Sequence, residues 1–433
     1  MARYHVETYG CTANRGESRE IERRLRDAGH RPAHLDDADV AILNTCTVVE
    51  KTETNMLARA AELDDAVPEL VVTGCMALAQ GEAFAEAGVD ARVEHWDDVP
   101  TAVRNGECPT PGAPSAREAA ADAAGEETTG DPADPVLDGV VGILPIARGC
   151  TSNCSYCITK QATGRIDSPP VAENVRKARE LLDAGARELR VTGQDTGVYG
   201  WDTGERKLPE LLERICALDG EFRVRVGMAN PGGVHGIREE LADVFAANEE
   251  LYDFLHAPVQ SGSDDVLADM RRQHRVEGFR EVVDAFDERL DEWTLATDVI
   301  AGFPTETDAD HRQTVDLLRE VRPERINVTR FSKRPGTDAA ELKGLGGQTK
   351  KDRSSELTDV AMDLVGAAYD AMVGERRRVL AVEPGTGDSV KCRDAAYRQI
   401  IVQDAPARGV EVGEFYDVEV TDAATVYAFG EPV

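Results

Sequence analysis

The chain has 433 residues, with 49 Lys and Arg against 81 Asp and Glu, a formal charge of −32. Apolar residues make up 41% and charged residues 30%, which excludes a wholly disordered chain and suggests two to four globular domains. No run of about 18 apolar residues occurs, so no membrane span and no membrane partner are expected. The start, Met1-Ala2-Arg3-Tyr4-His5-Val6-Glu7, lacks the layout of a signal peptide, so the expected location is the cytoplasm. The basic residues are 40 Arg and only 9 Lys. That bias, with carboxylates spread along the chain, reads as salt adaptation, a halophilic surface screened by molar salt. Taken alone, the charge argues against nucleic acid as a partner.

The first hundred residues alternate strand and helix. Arg3–Tyr9 alternates like a strand and stops at Gly10-Cys11. A helix is expected over 17–28, a strand over Val40–Leu43 ending at Asn44-Thr45-Cys46, and a helix over 51–63. Leu70–Thr73 is the next strand, ending at Gly74-Cys75. Strands separated by helices imply parallel pairing in a doubly wound sheet. In such a sheet, residues just past the strand carboxyl ends share one edge. Cys11, Cys46 and Cys75 each stand there, and a shared metal outweighs three idle buried thiols as the explanation.

From Glu107 to Pro135 the chain is rich in Ala, Gly, Pro, Asp, Glu and Thr and has no aromatic residue. It reads as an acidic linker that cannot build a core, with Cys108 a non-ligand within it. Six strands are then expected, over 140–147, 188–192, 222–228, 251–256, 295–301 and 325–331, with helices between them. Six such units predict a partial (β/α) barrel whose active face is built from the loops after the strands. A helix over 351–372 and five short strands follow, predicting a small all-β barrel. The expected division is therefore 1–106, linker 107–138, core 139–371 and β-barrel 372–433.

Cys150-Thr-Ser-Asn-Cys154-Ser-Tyr-Cys157 is a C-x3-C-x2-C loop directly after a strand. Three thiolates this close can hold three irons of a [4Fe–4S] cluster and leave the fourth iron open to a small chelating substrate. A structural zinc needs a fourth ligand, and no other Cys or His lies in the loop. Cys216 and Cys392 are isolated and read as non-ligands.

The loop on a six-unit barrel resembles the radical SAM enzymes. The remainder resembles their methylthiotransferase branch, through Tyr9-Gly10-Cys11…Asn14, Asn44-Thr45-Cys46-Thr47-Val48 and Thr73-Gly74-Cys75-Met76-Ala77. Thr192-Gly193-Gln194-Asp195, Pro258-Val259-Gln260-Ser261-Gly262-Ser263, Asp298–Thr307 and Lys333–Ala339 carry the likeness through the barrel. The small C-terminal barrel is similar to a TRAM domain, an RNA-binding module. Cys157-Ile158-Thr159-Lys160-Gln161-Ala162-Thr163-Gly164-Arg165 is similar to the archaeal and eukaryotic branch acting on N6-threonylcarbamoyladenosine at position 37 of tRNA. Pro304-Thr305 departs from that pattern, where Gly more often follows the Pro. The long acidic linker is a second departure.

The resemblance implies methylthiolation of the adenine C2, with S-adenosyl-L-methionine (SAM) and two [4Fe–4S] clusters as cofactors. Cys150, Cys154 and Cys157 would hold the radical-generating cluster. Cys11, Cys46 and Cys75 would hold an auxiliary cluster that delivers sulfur. Partners would be the tRNA anticodon loop, an electron donor protein and a sulfur donor. Gln194, Asp195, Asn230, Gln260 and Ser261 are candidate SAM contacts. Arg334, Arg376, Arg377 and Arg378 are candidate RNA contacts. His256 reads as a core histidine, and Asp298 as a carboxylate in need of a partner. Methylthiolation of an aspartate of ribosomal protein S12, the isopentenyladenosine specificity, and a non-catalytic iron–sulfur electron carrier that binds RNA are the competing readings. Locally the charge reverses: residues 311–353 carry 11 basic and 6 acidic side chains. Arg271, Arg272, Arg275 and Arg280 form another basic excess, and RNA contact needs only such local surface.

Overall fold

A computed structural model describes residues 1–47, 50–105 and 137–433. Cys108 and nearly all of the expected linker lie outside the described residues. The chain forms two compact units. The first comprises Met1–Asp138 with the short segment Ile158–Gly164; the second comprises Gly139–Cys157 and Arg165–Val433.

In the first unit, strands β1 (Arg3–Thr8), β2 (Arg31–Pro32), β3 (Val40–Thr45), β4 (Leu70–Thr73) and β5 (Ala91–Val93) pair in parallel. Their order is β2-β1-β3-β4-β5. Alternation along the strands splits the core into two layers. Ala41, Leu43, Leu70 and Val72 face Met56, Ala60 and Leu63 of the helix Glu50–Ala66. Val40, Ile42 and Val71 face Ile21 and Leu25 of the helix Thr12–Asp27. Both faces are covered, so the strands read as continuous apolar runs. The edge strands β2 and β5 are too short, at two and three residues, to leave a hydrophobic pattern in the sequence.

After the two-residue strand β6 (Leu137–Asp138), six parallel strands follow: β7 (Val141–Pro145), β8 (Glu188–Thr192), β9 (Arg223–Val226), β10 (Phe254–His256), β11 (Thr294–Ala301) and β12 (Arg325–Arg330). A single parallel bridge between Val224 and Leu251 links β9 to the segment leading into β10. The helices Val171–Asp183, Leu208–Cys216, Arg238–Ala247, Val276–Asp287 and Asp308–Val321 lie between the strands. This is a partial (β/α) barrel. The helix Asp308–Val321 starts on a capping box in which Thr307 and Asp310 satisfy each other's backbone N–H groups.

The long helix Gly347–Asp370 leads into β13 (Arg376–Pro384), β14 (Val390–Arg393), β15 (Gln399–Val402), β16 (Phe415–Ala424) and β17 (Tyr427–Pro432), which close into a barrel. This small barrel shares the second unit with the larger one. Arg398 bonds both oxygens of Glu324 at 2.7 Å. Val141 and Ile143 pack against Leu380 and Val382. Among the described residues, no helix is long and apolar enough to cross a membrane.

Candidate functional site

Strand order β2-β1-β3-β4-β5 reverses direction between β1 and β3, and the crevice beyond that point is where open α/β sheets bind ligands. Cys11 follows β1 and caps the helix Thr12–Asp27; Cys46 follows β3; Cys75 lies in the first turn of the helix Gly74–Gln80, after β4. Two glycines bring these segments close. Gly10 has φ +129°, and a Cβ there would stand 3.0 Å from the Cys46 Cβ. Gly74 has φ +87°, and a Cβ there would stand 2.2 Å from Asn44 Oδ1 and 2.4 Å from the Thr45 carbonyl. The backbones beside Cys11 and Cys75 thus both press on the end of β3.

Buried amides hold this edge. Asn14 Nδ2 donates to Asn44 Oδ1 at 2.9 Å and to the Thr45 carbonyl at 3.2 Å. Asn44 Nδ2 donates to the Asn14 carbonyl at 2.9 Å and to Ser18 Oγ at 3.0 Å. The Cys11 thiol donates to Asn14 Oδ1 at 3.2 Å. Thr45 Oγ1 donates to the Thr73 carbonyl and accepts from Ala77 N–H, joining β3 to the start of the Cys75 helix. Asn44 and Thr45 are fully buried, so each bond lost there leaves an unsatisfied group.

The second cysteine set is local. Cys150, Cys154 and Cys157 sit on the loop after β7. Gly149 opens it with φ +75°, where a Cβ would stand 2.0 Å from the Arg165 carbonyl. Its N–H donates to Gln194 Oε1 at 2.7 Å, so Gln194 holds the loop from the end of the neighbouring strand. Cys150 Sγ accepts from the Ser152 N–H at 3.3 Å, and Cys154 Sγ accepts from Arg272 Nη1 at 3.5 Å. Burial, then the charge of Asp195, pushes the Cys150 thiol up. Among the described residues, no three His, Cys, Asp or Glu side chains are already gathered around one point. The donor set nonetheless fits an iron–sulfur cluster: three thiols on one loop, two of whose sulfurs already accept N–H donors, as cluster thiolates do.

The other expected site residues divide. Asp195 is 1% exposed. Its Oδ1 accepts from the N–H groups of Asn230 and Gly197, while Oδ2 is buried without a partner. Burial pushes its pKa up to about 6. An incoming donor would satisfy that oxygen. Asn230 donates to Ser152 Oγ at 3.3 Å and accepts from Arg272 Nη2 at 3.0 Å, which ties it to the cysteine loop. Gln260 holds a left-handed backbone, φ +71°, and its N–H donates to the Asp298 carbonyl. Ser261 is engaged internally: its hydroxyl meets Thr314 Oγ1 at 3.4 Å and accepts from Ser263 N–H at 3.2 Å. Gly262 serves the same packing, since a Cβ there would stand 2.5 Å from the Gln313 carbonyl. His256 and Asn327 both donate to Asp298 Oδ1, at 3.1 and 2.7 Å. Burial raises the Asp298 carboxyl, but those two bonds outweigh it and hold it below its usual range.

The expected RNA contacts fare differently. Arg334 is 5% exposed and offers no open surface. Arg377 bonds Glu292 with both terminal nitrogens, at 2.7 Å, and Arg378 bonds Glu221 at 2.6 Å. These two arginines join the small barrel to the large one, a use that a run of three arginines in sequence does not reveal. Arg376 is the most exposed of the three, with a 3.9 Å contact to Glu419.

Arg272 was legible only as part of a basic excess. In the structure it is the guanidinium that reaches Cys154, Asn230 and the Pro258 carbonyl together. Arg271 pairs with Asp338 and Arg280 with Glu320. Cys216 and Cys392 are buried, and burial pushes both thiols up to about 12.

Comparison with known proteins agrees with this geometry. Residues 144–318 match the radical SAM superfamily, and residues 3–93 match the uncharacterized protein family UPF0004. The chain is 36% identical, over 99% of its length and 98% of the relative's, to a probable threonylcarbamoyladenosine tRNA methylthiotransferase of Archaeoglobus fulgidus. It is 30% identical, over 99% of its length and 73% of the relative's, to the threonylcarbamoyladenosine tRNA methylthiotransferase of Homo sapiens. Among solved structures, the radical S-adenosylmethionine methyltransferase TsrM of Kitasatospora setae superposes with a TM-score of 0.58 at 16% identity. That match covers 78% of this chain and 74% of the other, and it speaks to fold alone. With a three-cysteine loop on a partial barrel and a three-cysteine sheet edge, the chain belongs to the radical SAM family of threonylcarbamoyladenosine tRNA methylthiotransferases.

Proposed function

We propose that the protein replaces the C2 hydrogen of N6-threonylcarbamoyladenosine, at position 37 of tRNA, with a methylthio group. The observation that carries this reading is the pairing of two three-cysteine sets, each too few by one to saturate a [4Fe–4S] cluster. A saturated electron carrier needs four ligands per cluster. Cys150, Cys154 and Cys157 would hold the cluster that works with SAM, and Cys11, Cys46 and Cys75 an auxiliary one. A cluster with SAM supplies a one-electron route to a carbon radical, which an adenine C2–H requires because it is neither acidic nor electrophilic enough for ordinary acid–base chemistry.

The protein's own residues supply the setting. Gln194 and Gly149 fix the cysteine loop. The free oxygen of Asp195 accepts a donor of bound SAM, and Arg272 offers a guanidinium beside Cys154. The small barrel contributes to RNA contact through exposed groups such as Arg376. An electron donor protein and a sulfur donor come from outside the chain. The reaction belongs in the cytoplasm, where tRNA is.

The test is anaerobic reconstitution with iron and sulfide, followed by dithionite, SAM and an anticodon stem-loop carrying the threonylcarbamoyl group. 5′-Deoxyadenosine and the methylthiolated nucleoside are expected together. Absence of both from protein loaded with iron contradicts the proposal.

A further inference from the structure

Many arginines of the second unit sit among carboxylates, as a chain with 81 acidic residues allows. Arg289 bonds Asp243 and Glu239, Arg353 bonds Glu306 and Asp308, and Arg398 bonds Glu324 and Glu292. Arg225, Arg325 and Arg393 are among those that do not. Arg225 lies on β9, Arg325 opens β12, and Arg393 closes β14. Among the described residues, no carboxylate lies within salt-bridge distance of any of the three. Arg225 Nε and Arg393 Nη1 are buried with no hydrogen-bond partner.

They converge on one place. Val224 and Val226 fill the apolar face of β9, so Arg225 faces the lumen of the large barrel. Its guanidinium stands 5.1 Å from the Phe254 ring and 5.8 Å from the Tyr397 ring. Arg393 stands 4.9 Å from the same Tyr397 ring. Tyr397 holds a left-handed backbone, φ +62°, and packs on Tyr252 and Phe254. Arg325, exposed at the start of β12, lies within electrostatic reach of Arg393 and Arg190. Arg190, in register with Arg225, is neutralised by Glu188, whose other oxygen accepts from the Tyr252 hydroxyl. Burial, and the positive charge of Arg190 and Arg325, lower the pKa of Arg225. Asp298, further along β11, is already engaged by His256 and Asn327.

Four guanidiniums thus share one bonded carboxylate on the lumen floor. Aromatic faces offset part of that charge but do not replace a counterion. Guanidinium forks match planar or tetrahedral oxyanions. We propose that Arg225, Arg325 and Arg393, around Tyr397, form a binding site for an oxyanion of the carboxylate or phosphate type.

Two sources carry that chemistry: a free inorganic oxyanion, or the carboxylate of the threonylcarbamoyl group. The second source rests on the function proposed above. Arg190 lies two residues before the end of β8, about 7 Å below the strand end that faces the loops.

Calorimetric titration of the full chain at constant ionic strength tests this without any cluster. Inorganic phosphate is one probe; threonylcarbamoyladenosine nucleoside, with adenosine as its control, is the other. Phosphate is expected to bind one site, with Arg325→Gln and Arg225→Gln each weakening it at least tenfold. Both variants are expected to melt no lower than the native chain without anion, since Arg225→Gln removes a charge with a buried, unpartnered N–H and Arg325→Gln alters an exposed side chain. The modified nucleoside is expected to compete with phosphate, and adenosine is not. No phosphate binding, or binding by both variants equal to that of the native chain, overturns the site. Arginine-dependent phosphate binding without competition by the nucleoside overturns the substrate source and leaves the free ion. Because these readouts need no turnover, their failure is distinct from failure of the methylthiolation assay.

Discussion

The two cysteine sets reach similar ends by opposite means. Cys150, Cys154 and Cys157 are neighbours in the chain, and Gly149, Gln194, Asn230 and Arg272 hold the loop. Cys11, Cys46 and Cys75 are 35 and 29 residues apart and share a sheet edge only because three parallel strands end there. The first arrangement depends on local backbone; the second depends on the whole sheet and on the buried pair Asn14 and Asn44. A local set should fail by losing a ligand. A set assembled by the fold should also fail by losing its scaffold.

The largest expected effect separates the two sets outright. Cys154→Ala should reduce 5′-deoxyadenosine to background, whereas Cys46→Ala should retain it while losing the methylthiolated product. Iron analysis should find about eight irons in the native chain and about four in each variant. Loss of all iron in both variants breaks the comparison.

The next effect concerns scaffolds. Asn44→Ala leaves the buried Asn14 amide short of partners, at about 1–3 kcal/mol. It should release iron from Cys11, Cys46 and Cys75 while 5′-deoxyadenosine formation persists. Gly149→Ala forces a left-handed alanine against the Arg165 carbonyl, at about 1–3 kcal/mol from backbone strain alone, and should do the converse. Equal iron loss from both sets in either variant contradicts the independence of the two scaffolds.

The smallest effect lies away from both sets. Burial lifts the Asp253 carboxyl to about 6 from an ordinary value near 4. The folded state then holds the proton more tightly than the unfolded one. Its contribution to stability is present below about pH 4 and is lost as pH rises through 6. Asp253→Asn should therefore gain on the native chain by about 1–2 kcal/mol between pH 4 and pH 7, after allowance for solvent screening. Parallel denaturation curves at the two pH values check this, and a constant difference sinks it.

The sequence carried much of this fold because apolar runs and turn residues mark β3, β4 and β8–β12 well. The two-residue strand β2 and three-residue strand β5 carry no such pattern. The cysteine positions were legible through spacing and through their place at strand ends. Side-chain use was less so. Gln194 reads in sequence as a SAM contact, yet its carbonyl is spent on Gly149. Arg377 and Arg378 read as phosphate contacts, yet they bond Glu292 and Glu221, 85 and 157 residues away. Arg272 and the lumen arginines were hidden because a basic residue announces its partner only in three dimensions. The global charge of −32 was silent on all of them.

The most direct test of the proposed reaction is nucleoside mass spectrometry of total tRNA from a strain lacking this gene. Loss of 2-methylthio-N6-threonylcarbamoyladenosine, with N6-threonylcarbamoyladenosine accumulating in its place and the native gene restoring the product, is the expected result. An unchanged level of the methylthiolated nucleoside would contradict the account.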